Sequence, residues 1–352
     1  MAILEPSTMT AADLASKLGV SRATVSYVLS GDGERRKISP KTIDRVLRMA
    51  AELKYVPNES AQNLRRGRSG MILLLIGNLE FGFANGVMAG MAGVLDDTGY
   101  SPFVTTHWFD EKKNHRELIS AMRRRVEAVV CQPLAGEEKA YAELDRLGIP
   151  LIFLGDHPRD LKGASFVGWD SAAAARVAVQ HLVDCGRKRI GHIGVDYPMV
   201  MSQARYAAYE AVLRENGLPM SPDMVHVARS YHTADEVLDP AIERFFRPGG
   251  PDLDAIFVLN DGLALPLLEK LDARGIRVPE DVALVGMGDL PLTGHAAIGL
   301  TTVKEPTDLI GRHAAEAALE LIATPGRKPI YRPIDGCELK VRRTTAGRVL
   351  SI

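Results

Sequence analysis

A regular alternation of apolar strand-like runs with helical stretches constrains the fold of this chain more than any other feature. Strand-like runs are predicted at 71–76, 101–105, 128–131, 151–154, 190–195, 255–259 and 282–285. Helical stretches are predicted between them at 83–98, 114–125, 171–184, 204–215, 233–246 and 262–273. Strands that alternate with helices form parallel, doubly wound sheets. Because this many units exceeds one sheet of ordinary size, we expect an α/β fold with two doubly wound parallel-sheet lobes.

The first 30 residues have a different pattern, which predicts an all-α unit. Thr10 can cap a short helix, with Asp13 three residues later as in a capping box. Gly19 can end that helix in the left-handed conformation that glycine tolerates. Ser21 can then cap a second short helix. Two short helices joined by a glycine turn are typical of a helix-turn-helix, although a small structural bundle is the alternative.

The second helix of a helix-turn-helix enters the major groove of DNA, and its outward residues contact base edges. Arg22 can bind guanine with two hydrogen bonds, which discriminates against other bases by roughly 1–3 kcal/mol. Ala23 can pack against a thymine methyl group, and Tyr27 offers a ring and a hydroxyl. The residues predicted to bind DNA in this unit are Thr10, Ser21, Arg22, Ala23, Thr24, Ser26 and Tyr27.

Ser39 and Pro40 begin a predicted third helix, which runs to about Lys54. Its expected buried residues are Ile43, Val46, Leu47, Ala50 and Leu53. Pro57 and Asn58 end it and can begin a fourth helix, too short to be stable in water without a partner.

With these motifs, nearly all of the 352 residues resemble the LacI/GalR family of bacterial transcription regulators. The resemblance implies a headpiece at 1–57, a hinge helix and linker at 58–70, and a periplasmic-binding-protein-like core at 71–352. It also implies that the hinge helix folds on operator DNA and that Leu64 wedges into the minor groove beside Leu64 of a second subunit. The hinge residues expected to bind DNA are Asn58, Ala61 and Leu64.

The resemblance divides the core into lobe one, about 71–170 plus 306–330, and lobe two, about 171–305 plus 331–352. An effector is expected between the lobes, because ligands of open α/β sheets bind beyond the carboxyl ends of the strands. The expected effector-binding residues are Phe83, Asp156, Arg205, Tyr231, Asn260, Asp261 and Asp289. Several structural alternatives stay open: Arg205 as a surface residue, Asp261 as a helix cap, and Phe83 and Tyr231 as core residues.

One position departs from the family pattern. Many members have an aspartate where this chain has Gly288, and here the acid follows one residue later, at Asp289. The carboxylate is then either displaced or lost. With less negative charge near Arg205, the sequence favours a sugar acid or sugar phosphate over a neutral sugar.

The charge distribution agrees with a DNA-binding head on a larger module. Residues 1–70 contain 12 Lys and Arg against 7 Asp and Glu, which leaves 31 against 37 in the rest of the chain. A basic head favours phosphate binding through counterion release. The runs at 35–37 and 65–68 are expected to contact phosphates, with solvated surface charge as the alternative.

Motifs for catalysis and for cofactors are missing from the sequence. It has no Gly-x-Gly-x-x-Gly after the first strand, no nucleotide-phosphate loop and no Gly-x-Ser-x-Gly elbow. We therefore expect no enzyme activity and no cofactor or metal. His192 is expected to be a satisfied interior residue.

The sequence shows no signal peptide and no apolar run long enough to cross a membrane, so the protein is expected in the cytoplasm, in contact with no membrane. The expected partners are an approximately palindromic operator DNA, a carbohydrate-derived small-molecule effector and a second copy of the chain in a homodimer. The predicted function is a transcription regulator of the repressor type, controlled by that effector. The alternative is a regulator controlled by a protein partner or by no effector, with a vestigial cleft.

Overall fold

The computed structural model describes residues 9–55, 68–79, 82–155, 164–197, 199–229 and 233–346. The chain forms two compact units, which divide between Ser69 and Gly70. Five predicted site residues lie outside the described residues: Asn58, Ala61, Leu64, Asp156 and Tyr231. The roles predicted for these five stay predictions.

The first unit is helical, as its cap residues predict. Its helices are α1 (Ala11–Leu18), α2 (Arg22–Leu29) and α3 (Pro40–Glu52). The capping box of Thr10 and Asp13 is present, and Gly19 ends α1 with a φ of 64°. Ser21 and Ser39 cap α2 and α3.

The three helices enclose a small apolar core. Its buried residues are Leu14, Ala15, Leu18, Val25, Val28, Val46 and Ala50. Leu47, which was expected to be buried, is 49% exposed. It directly follows the buried Val46, and adjacent helix positions do not share one face, so the apolar stripe of α3 is narrower than its sequence suggests.

The second unit contains two six-stranded sheets. The strands are β1 (Met71–Ile76), β2 (Ser101–Thr106), β3 (Ala128–Cys131), β4 (Leu151–Leu154), β5 (Ser165–Trp169), β6 (Ile190–Val195), β7 (Val225–Ala228), β8 (Ala255–Val258), β9 (Ala283–Gly288), β10 (Thr301–Lys304), β11 (Tyr331–Ile334) and β12 (Glu338–Lys340). The first sheet has the order β11-β5-β4-β3-β1-β2, and the second has the order β12-β10-β9-β8-β6-β7. All pairings are parallel except that of β12 with β10. The predicted fold class is confirmed.

Helices connect the strands of both sheets. They are α4 (Phe83–Leu95), α5 (Glu111–Arg124), α6 (Glu138–Arg146), α7 (Ser171–Asp184), α8 (Val200–Glu215), α9 (Ala234–Phe245), α10 (Asp261–Asp272), α11 (Thr307–Ala323) and α12 (Arg343–Ala346). The sequence pattern does not predict α6, α11 and α12, nor β5, β7 and β10 to β12.

One predicted lobe boundary is wrong. The segment 331–352 was assigned to lobe two, but β11 pairs in parallel with β5 at the edge of the first sheet. Only β12 joins the second sheet, where it pairs with Thr302 to Lys304. The chain therefore passes from the first sheet to the second between β11, which ends at Ile334, and β12.

The face of α4 that carries Val87 and Met91 has the apolar character of either a subunit interface or an intramolecular core. Both side chains are completely buried within the chain. Two glycines let α11 approach closely: a Cβ on Gly90 would lie 1.9 Å from the Asp308 carbonyl oxygen, and one on Gly311 would lie 2.0 Å from the Val87 carbonyl oxygen. This face of α4 is therefore intramolecular core.

Candidate functional sites

The outward face of α2 presents a cluster of polar and small side chains. Arg22 and Ala23 are exposed and Ser26 and Tyr27 are half-buried, while Val25 on the opposite face is completely buried. The sequence predicts this division, because apolar residues at helical spacing turn inward.

Two of the other predicted DNA-binding residues of the headpiece, Thr10 and Ser21, act as helix caps. The Ser21 hydroxyl accepts a hydrogen bond from the Thr24 backbone N–H at 3.0 Å and bonds the Thr24 hydroxyl at 2.9 Å. The Thr10 hydroxyl donates to Asp13 at 2.7 Å. Arg45 adds a contact to the end of α1, where its guanidinium donates to the Leu18 carbonyl at 2.9 Å. The caps therefore stabilise the first turns of α1 and α2, and the Arg45 bond joins α3 to the end of α1.

In the core, polar residues gather beyond the carboxyl ends of the second-sheet strands, as expected for an open α/β sheet. Arg205 extends from α8 and is 1% exposed, so the alternative of a surface residue is wrong. Its Nη1 donates to the Leu259 carbonyl at 2.7 Å, and its Nη2 donates to a Glu305 carboxylate oxygen. The guanidinium is therefore held by one carbonyl and one carboxylate.

Glu305 is a site residue that the sequence analysis missed. It follows β10 directly, and its side chain is only 10% exposed. Arg205 and Glu305 are 100 residues apart in the sequence, so no local pattern connects them. The position of Glu305 after a strand was the one available signal, and it was not used because β10 had not been identified.

Two polar atoms beside this pair are buried without a partner. Within the described part of the chain, neither the Arg205 Nε nor the Ser202 hydroxyl has a hydrogen bond, although both are shielded from solvent. Ser202 and Arg205 lie three residues apart on α8, which places them on one face of that helix. An unmade hydrogen bond at a buried polar atom costs about 1–3 kcal/mol, so a ligand that supplies one would be bound favourably.

Asp261 begins α10 beneath this cluster and is 1% exposed. Its carboxylate accepts hydrogen bonds from the Thr302 hydroxyl at 2.8 Å and from the Leu290 backbone N–H at 3.2 Å. Burial, assisted by the nearby charge of Glu305, raises the pKa of Asp261 to about 7 despite the hydrogen bonds from Thr302 and Leu290, which lower it. Asp261 therefore ties α10 to the ends of β9 and β10.

The helix-capping role considered for Asp261 belongs to its neighbour. The Asn260 side chain accepts a hydrogen bond from the Leu263 backbone N–H at 3.0 Å, which caps α10. Asn260 was predicted to bind the effector, and its oxygen is engaged in this cap. Asp170 caps α7 in the same way by accepting from the Ala173 N–H at 2.8 Å.

Asp289 does not take the place of the acid that is absent at Gly288. Its backbone lies in the left-handed region with a φ of 55°. Its carboxylate pairs with the Arg342 guanidinium at 2.5 Å and accepts from the Thr293 hydroxyl at 3.3 Å. The structure therefore engages Asp289 with the C-terminal segment and not with Arg205. Sequence position alone could not show this, because Arg342 is 53 residues away.

Phe83 lies where α4 meets the other lobe. It begins α4 and packs, partly buried, on the main core cluster. The preceding Gly82 approaches the turn after β9 so closely that a Cβ there would lie 2.0 Å from Leu290 Cδ2. Nearby, the rings of Phe109 and Tyr197 stack with centroids 3.9 Å apart. The two lobes are thus in contact at the edge where the polar cluster lies.

His192 is an interior residue, as predicted. It is 1% exposed, and its Nδ1 donates to the Phe257 carbonyl at 3.1 Å. Burial lowers the pKa of His192 to about 4, so the imidazole is neutral at physiological pH. Across the described ranges, no three His, Cys, Asp or Glu side chains gather in a way that would hold a metal ion. Among these same residues no helix is both long and apolar enough to span a bilayer.

Comparison with known proteins finds a family match in each of the two units. Residues 10–58 match the model of the lacI family of bacterial regulatory proteins, and residues 179–345 match the periplasmic binding protein-like domain. The chain is 30% identical over 325 residues to the HTH-type transcriptional regulator CelR of Thermobifida fusca, covering 90% of this chain and 93% of that protein. It is 29% identical to the ribose operon repressor of Halalkalibacterium halodurans, covering 95% and 96% of the two chains.

Solved structures show the same architecture. A complex of CelR with cellobiose has a TM-score of 0.69 and 28% identity, covering 96% of this chain and 99% of that one. The lac repressor dimer bound to operator has a TM-score of 0.79 at 23% identity, with the same coverage, and shows the shared fold. With its helix-turn-helix head, its two parallel-sheet lobes and relatives matched over nearly their full length, this chain belongs to the LacI family of DNA-binding transcriptional repressors.

Proposed function

We propose that this repressor is controlled by an uncharged carbohydrate, which binds at the carboxyl ends of the second-sheet strands against Arg205 and Glu305. The observation that carries this proposal is the buried ion pair of these two residues, with the Arg205 Nε left without a hydrogen bond within the described part of the chain. A sugar hydroxyl is both a donor and an acceptor, and a vicinal diol can bond a guanidinium and a carboxylate together.

The ion pair changes the class of ligand that the sequence favoured. A sugar acid or sugar phosphate was favoured because Gly288 leaves Arg205 without the usual acid. Glu305 supplies that negative charge from a different strand end. A second anion would have to displace Glu305 or lie beside it in a buried site, which costs electrostatic free energy. A neutral sugar meets no such cost.

Relatives support a carbohydrate effector. CelR has been solved in complex with cellobiose, an uncharged disaccharide, and two other relatives are named as ribose operon repressors. Effector control of DNA affinity requires that the ligand bind one lobe arrangement better than the other. Gly82 approaches Leu290 closely, and Phe109 stacks on Tyr197, so both contacts join the two lobes. A ligand that favours one lobe arrangement would strengthen or weaken these contacts.

DNA recognition is assigned to the outward face of α2, with Arg22, Ala23, Ser26 and Tyr27 nearest the bases. Arg22 is exposed at the beginning of α2, where recognition helices place their base contacts. The hinge residues Asn58, Ala61 and Leu64 stay assigned to the minor groove by the family resemblance. The protein is accordingly not an enzyme in this proposal, and its relatives are named as transcription regulators.

We infer that the repressor is a homodimer. A surface groove of lobe two is lined by partly buried apolar side chains that include Leu265, Leu268, Ile276 and Ile298, and by charged side chains that include Glu269, Asp272, Arg277 and Glu280. None of the residues that line this groove belongs to the Arg205 cluster. A second subunit would cover the apolar part of this groove, and a symmetric dimer reads a palindromic operator.

Thermal unfolding of the full chain with a panel of ligands tests the effector proposal. The panel contains neutral mono- and disaccharides, including ribose and cellobiose, together with sugar acids and sugar phosphates. We expect a dose-dependent rise in unfolding temperature with a neutral sugar, because a ligand of the folded state raises its stability. A rise with the anionic sugars alone would contradict the assignment of the ligand class. No rise with any ligand would favour a regulator controlled by a protein partner or by no effector.

A further inference from the structure

The loop that joins α2 to α3 brings an arginine onto the recognition face. The guanidinium carbon of Arg36 lies 4.7 Å from the centroid of the Tyr27 ring, a distance at which a cation is attracted to an aromatic face. Arg36 is exposed and Tyr27 is half-buried. The Tyr27 ring on the recognition face is therefore covered on one side by a cation from outside the helix.

This loop is a folded turn, which fixes the position of Arg36. The Arg36 backbone N–H donates to the Asp32 carbonyl at 3.0 Å, and the Lys37 N–H donates to the Glu34 carbonyl at 2.8 Å. Lys37 adopts a left-handed φ of 56°, which turns the chain toward α3. These bonds leave the Arg36 backbone little freedom.

Gly33 anchors the same turn to the headpiece core. It is buried, and a Cβ added there would lie 3.1 Å from Ile43 Cδ1 and 3.5 Å from Val28 Cγ2. The backbone of the loop thus rests directly on α2 and α3. Since Val28 is the residue after Tyr27, the contact also fixes the loop relative to the recognition face.

We infer that Arg36 and Tyr27 form one DNA-reading unit, in which Arg36 is a specificity-determining residue supplied from outside the recognition helix. A planar guanidinium stacked on the ring restricts the ring orientation, and with it the direction of the Tyr27 hydroxyl. It also adds a positive charge next to the base pair that Tyr27 meets. An arginine that only binds phosphate would instead raise affinity for all sequences about equally.

Arg35 provides a matched control. It precedes Arg36 in the same turn and carries the same charge, but its side chain is 85% exposed and its guanidinium lies 3.9 Å from Asp32. Replacing Arg35 removes one positive charge from the loop without removing the stacked pair. The comparison of Arg36→Ala with Arg35→Ala therefore separates base preference from general electrostatic attraction.

The experiment selects DNA from a random duplex library with the full chain, at one fixed salt concentration. It compares the base preferences of the wild type with those of Arg36→Ala, Arg36→Lys, Arg35→Ala and Tyr27→Ala. Circular dichroism and melting of each variant check that the headpiece is folded. Arg36→Lys keeps the charge and loses the planar stacking, so it reports on the geometry of the pair even if Arg36→Ala unfolds.

We expect Arg36→Ala to weaken the preference at the base pairs where Tyr27→Ala also weakens it, by about two- to fivefold. Arg36→Lys should retain overall affinity but lose part of this preference. Arg35→Ala should lower affinity for all sequences with an unchanged preference profile. An Arg36→Ala profile identical in shape to the wild type would overturn the inference, as would a Tyr27→Ala profile that keeps every base preference.

Discussion

The buried pair of Arg205 and Glu305 determines how a ligand can be recognised in this core. A guanidinium that is 1% exposed is stable only with compensation, and Glu305 and the Leu259 carbonyl supply it. The compensation is incomplete in hydrogen bonds, because within the described residues the Nε has none. An ion pair with an unmade hydrogen bond fits a neutral, hydroxyl-rich ligand.

Glu305→Gln tests this pair by removing the charge while keeping the side-chain shape. We expect it to lower the free energy of unfolding by about 3 kcal/mol, because Arg205 would remain buried and unpaired in charge. Chemical denaturation of the full chain measures the change. Glu215→Gln is the control, because Glu215 pairs with Arg176 at the surface, where side chains are about half exposed. If both substitutions lowered the free energy of unfolding by the same small amount, the buried pair would stabilise the fold no more than the surface pair does.

Asp261 should make the folding stability of the core decrease as pH rises. Its pKa is raised by burial to about 7, whereas an aspartate in an unfolded chain titrates near about 4. Between these values the folded state holds a proton that the unfolded state has released. The contribution of Asp261 to stability is therefore present at low pH and is lost as pH rises through about 7.

Asp261→Asn, which cannot ionise, isolates this effect. The buried histidines His107 and His192, with pKa values lowered to about 4, act in the opposite direction at acid pH and are common to both proteins. We expect the stability of the wild type relative to Asp261→Asn to fall by a few kcal/mol from about pH 5 to about pH 8. Unfolding temperatures across that range measure it. A constant difference would mean that Asp261 is ionised throughout.

At the residue scale, the sequence predicts the local role of a residue in its helix or turn better than it predicts a bonding partner that is distant in the chain. The capping box of Thr10 and Asp13 and the left-handed Gly19 were correctly expected, because both follow from local pattern. The bond between Arg205 and Glu305 and the bond between Asp289 and Arg342 join residues from distant elements. Such pairs depend on how the two sheets are assembled, which a single sequence does not reveal.

The packing of α4 against α11 depends on backbone contact through glycines. A Cβ on Gly90 would lie 1.9 Å from the Asp308 carbonyl oxygen and 2.8 Å from the Arg312 nitrogen, which are both backbone atoms and cannot rotate away. Gly93, one turn later on α4, is exposed and has no atom within 4 Å of an added Cβ. The two glycines share a helix but meet different surroundings.

Gly90→Ala and Gly93→Ala should therefore change stability in opposite directions. We expect Gly90→Ala to lower the free energy of unfolding by about 2 kcal/mol or more, because the helices must separate. Gly93→Ala should raise it by roughly 0.4–1 kcal/mol, since alanine favours the helix. Denaturant titration of both variants measures this. A stabilising Gly90→Ala would show that the two helices are not in close contact.

Two of the elements that the sequence did not predict, α11 and β11, lack a clear apolar pattern, each for its own physical reason. The helix α11 is buried on a broad face that includes Gly311, Ala314, Ala315, Ala317 and Ala318, so it lacks the narrow apolar stripe of a surface helix. The edge strand β11 has only four residues, one of them Pro333, and is largely exposed. The apolar strand β1 was predicted to the residue, because a run of 6 apolar residues has the length of a strand and is too short for an ordinary helix.

The whole molecule joins a basic head to an acidic core. Residues 1–70 hold an excess of Lys and Arg, and the remainder holds an excess of Asp and Glu. This division directs phosphate binding to the head and leaves the core to bind its own ligand. The sequence predicts this arrangement because the charge excess and the helix-turn-helix pattern can each be read from one continuous segment. The stacking of Phe109 on Tyr197 joins two distant segments, so the sequence does not predict it.

The coupling between core and head is the central claim, and the affinity for operator DNA tests it most directly. The operator is selected from random DNA with the full chain, and its dissociation constant is then measured with and without a neutral sugar that stabilises the protein. We predict a change of at least about fivefold, the lower range for coupled sites, in the wild type, and no change in Arg205→Met. An unchanged affinity in the wild type, or an equal response in Arg205→Met, would contradict the account.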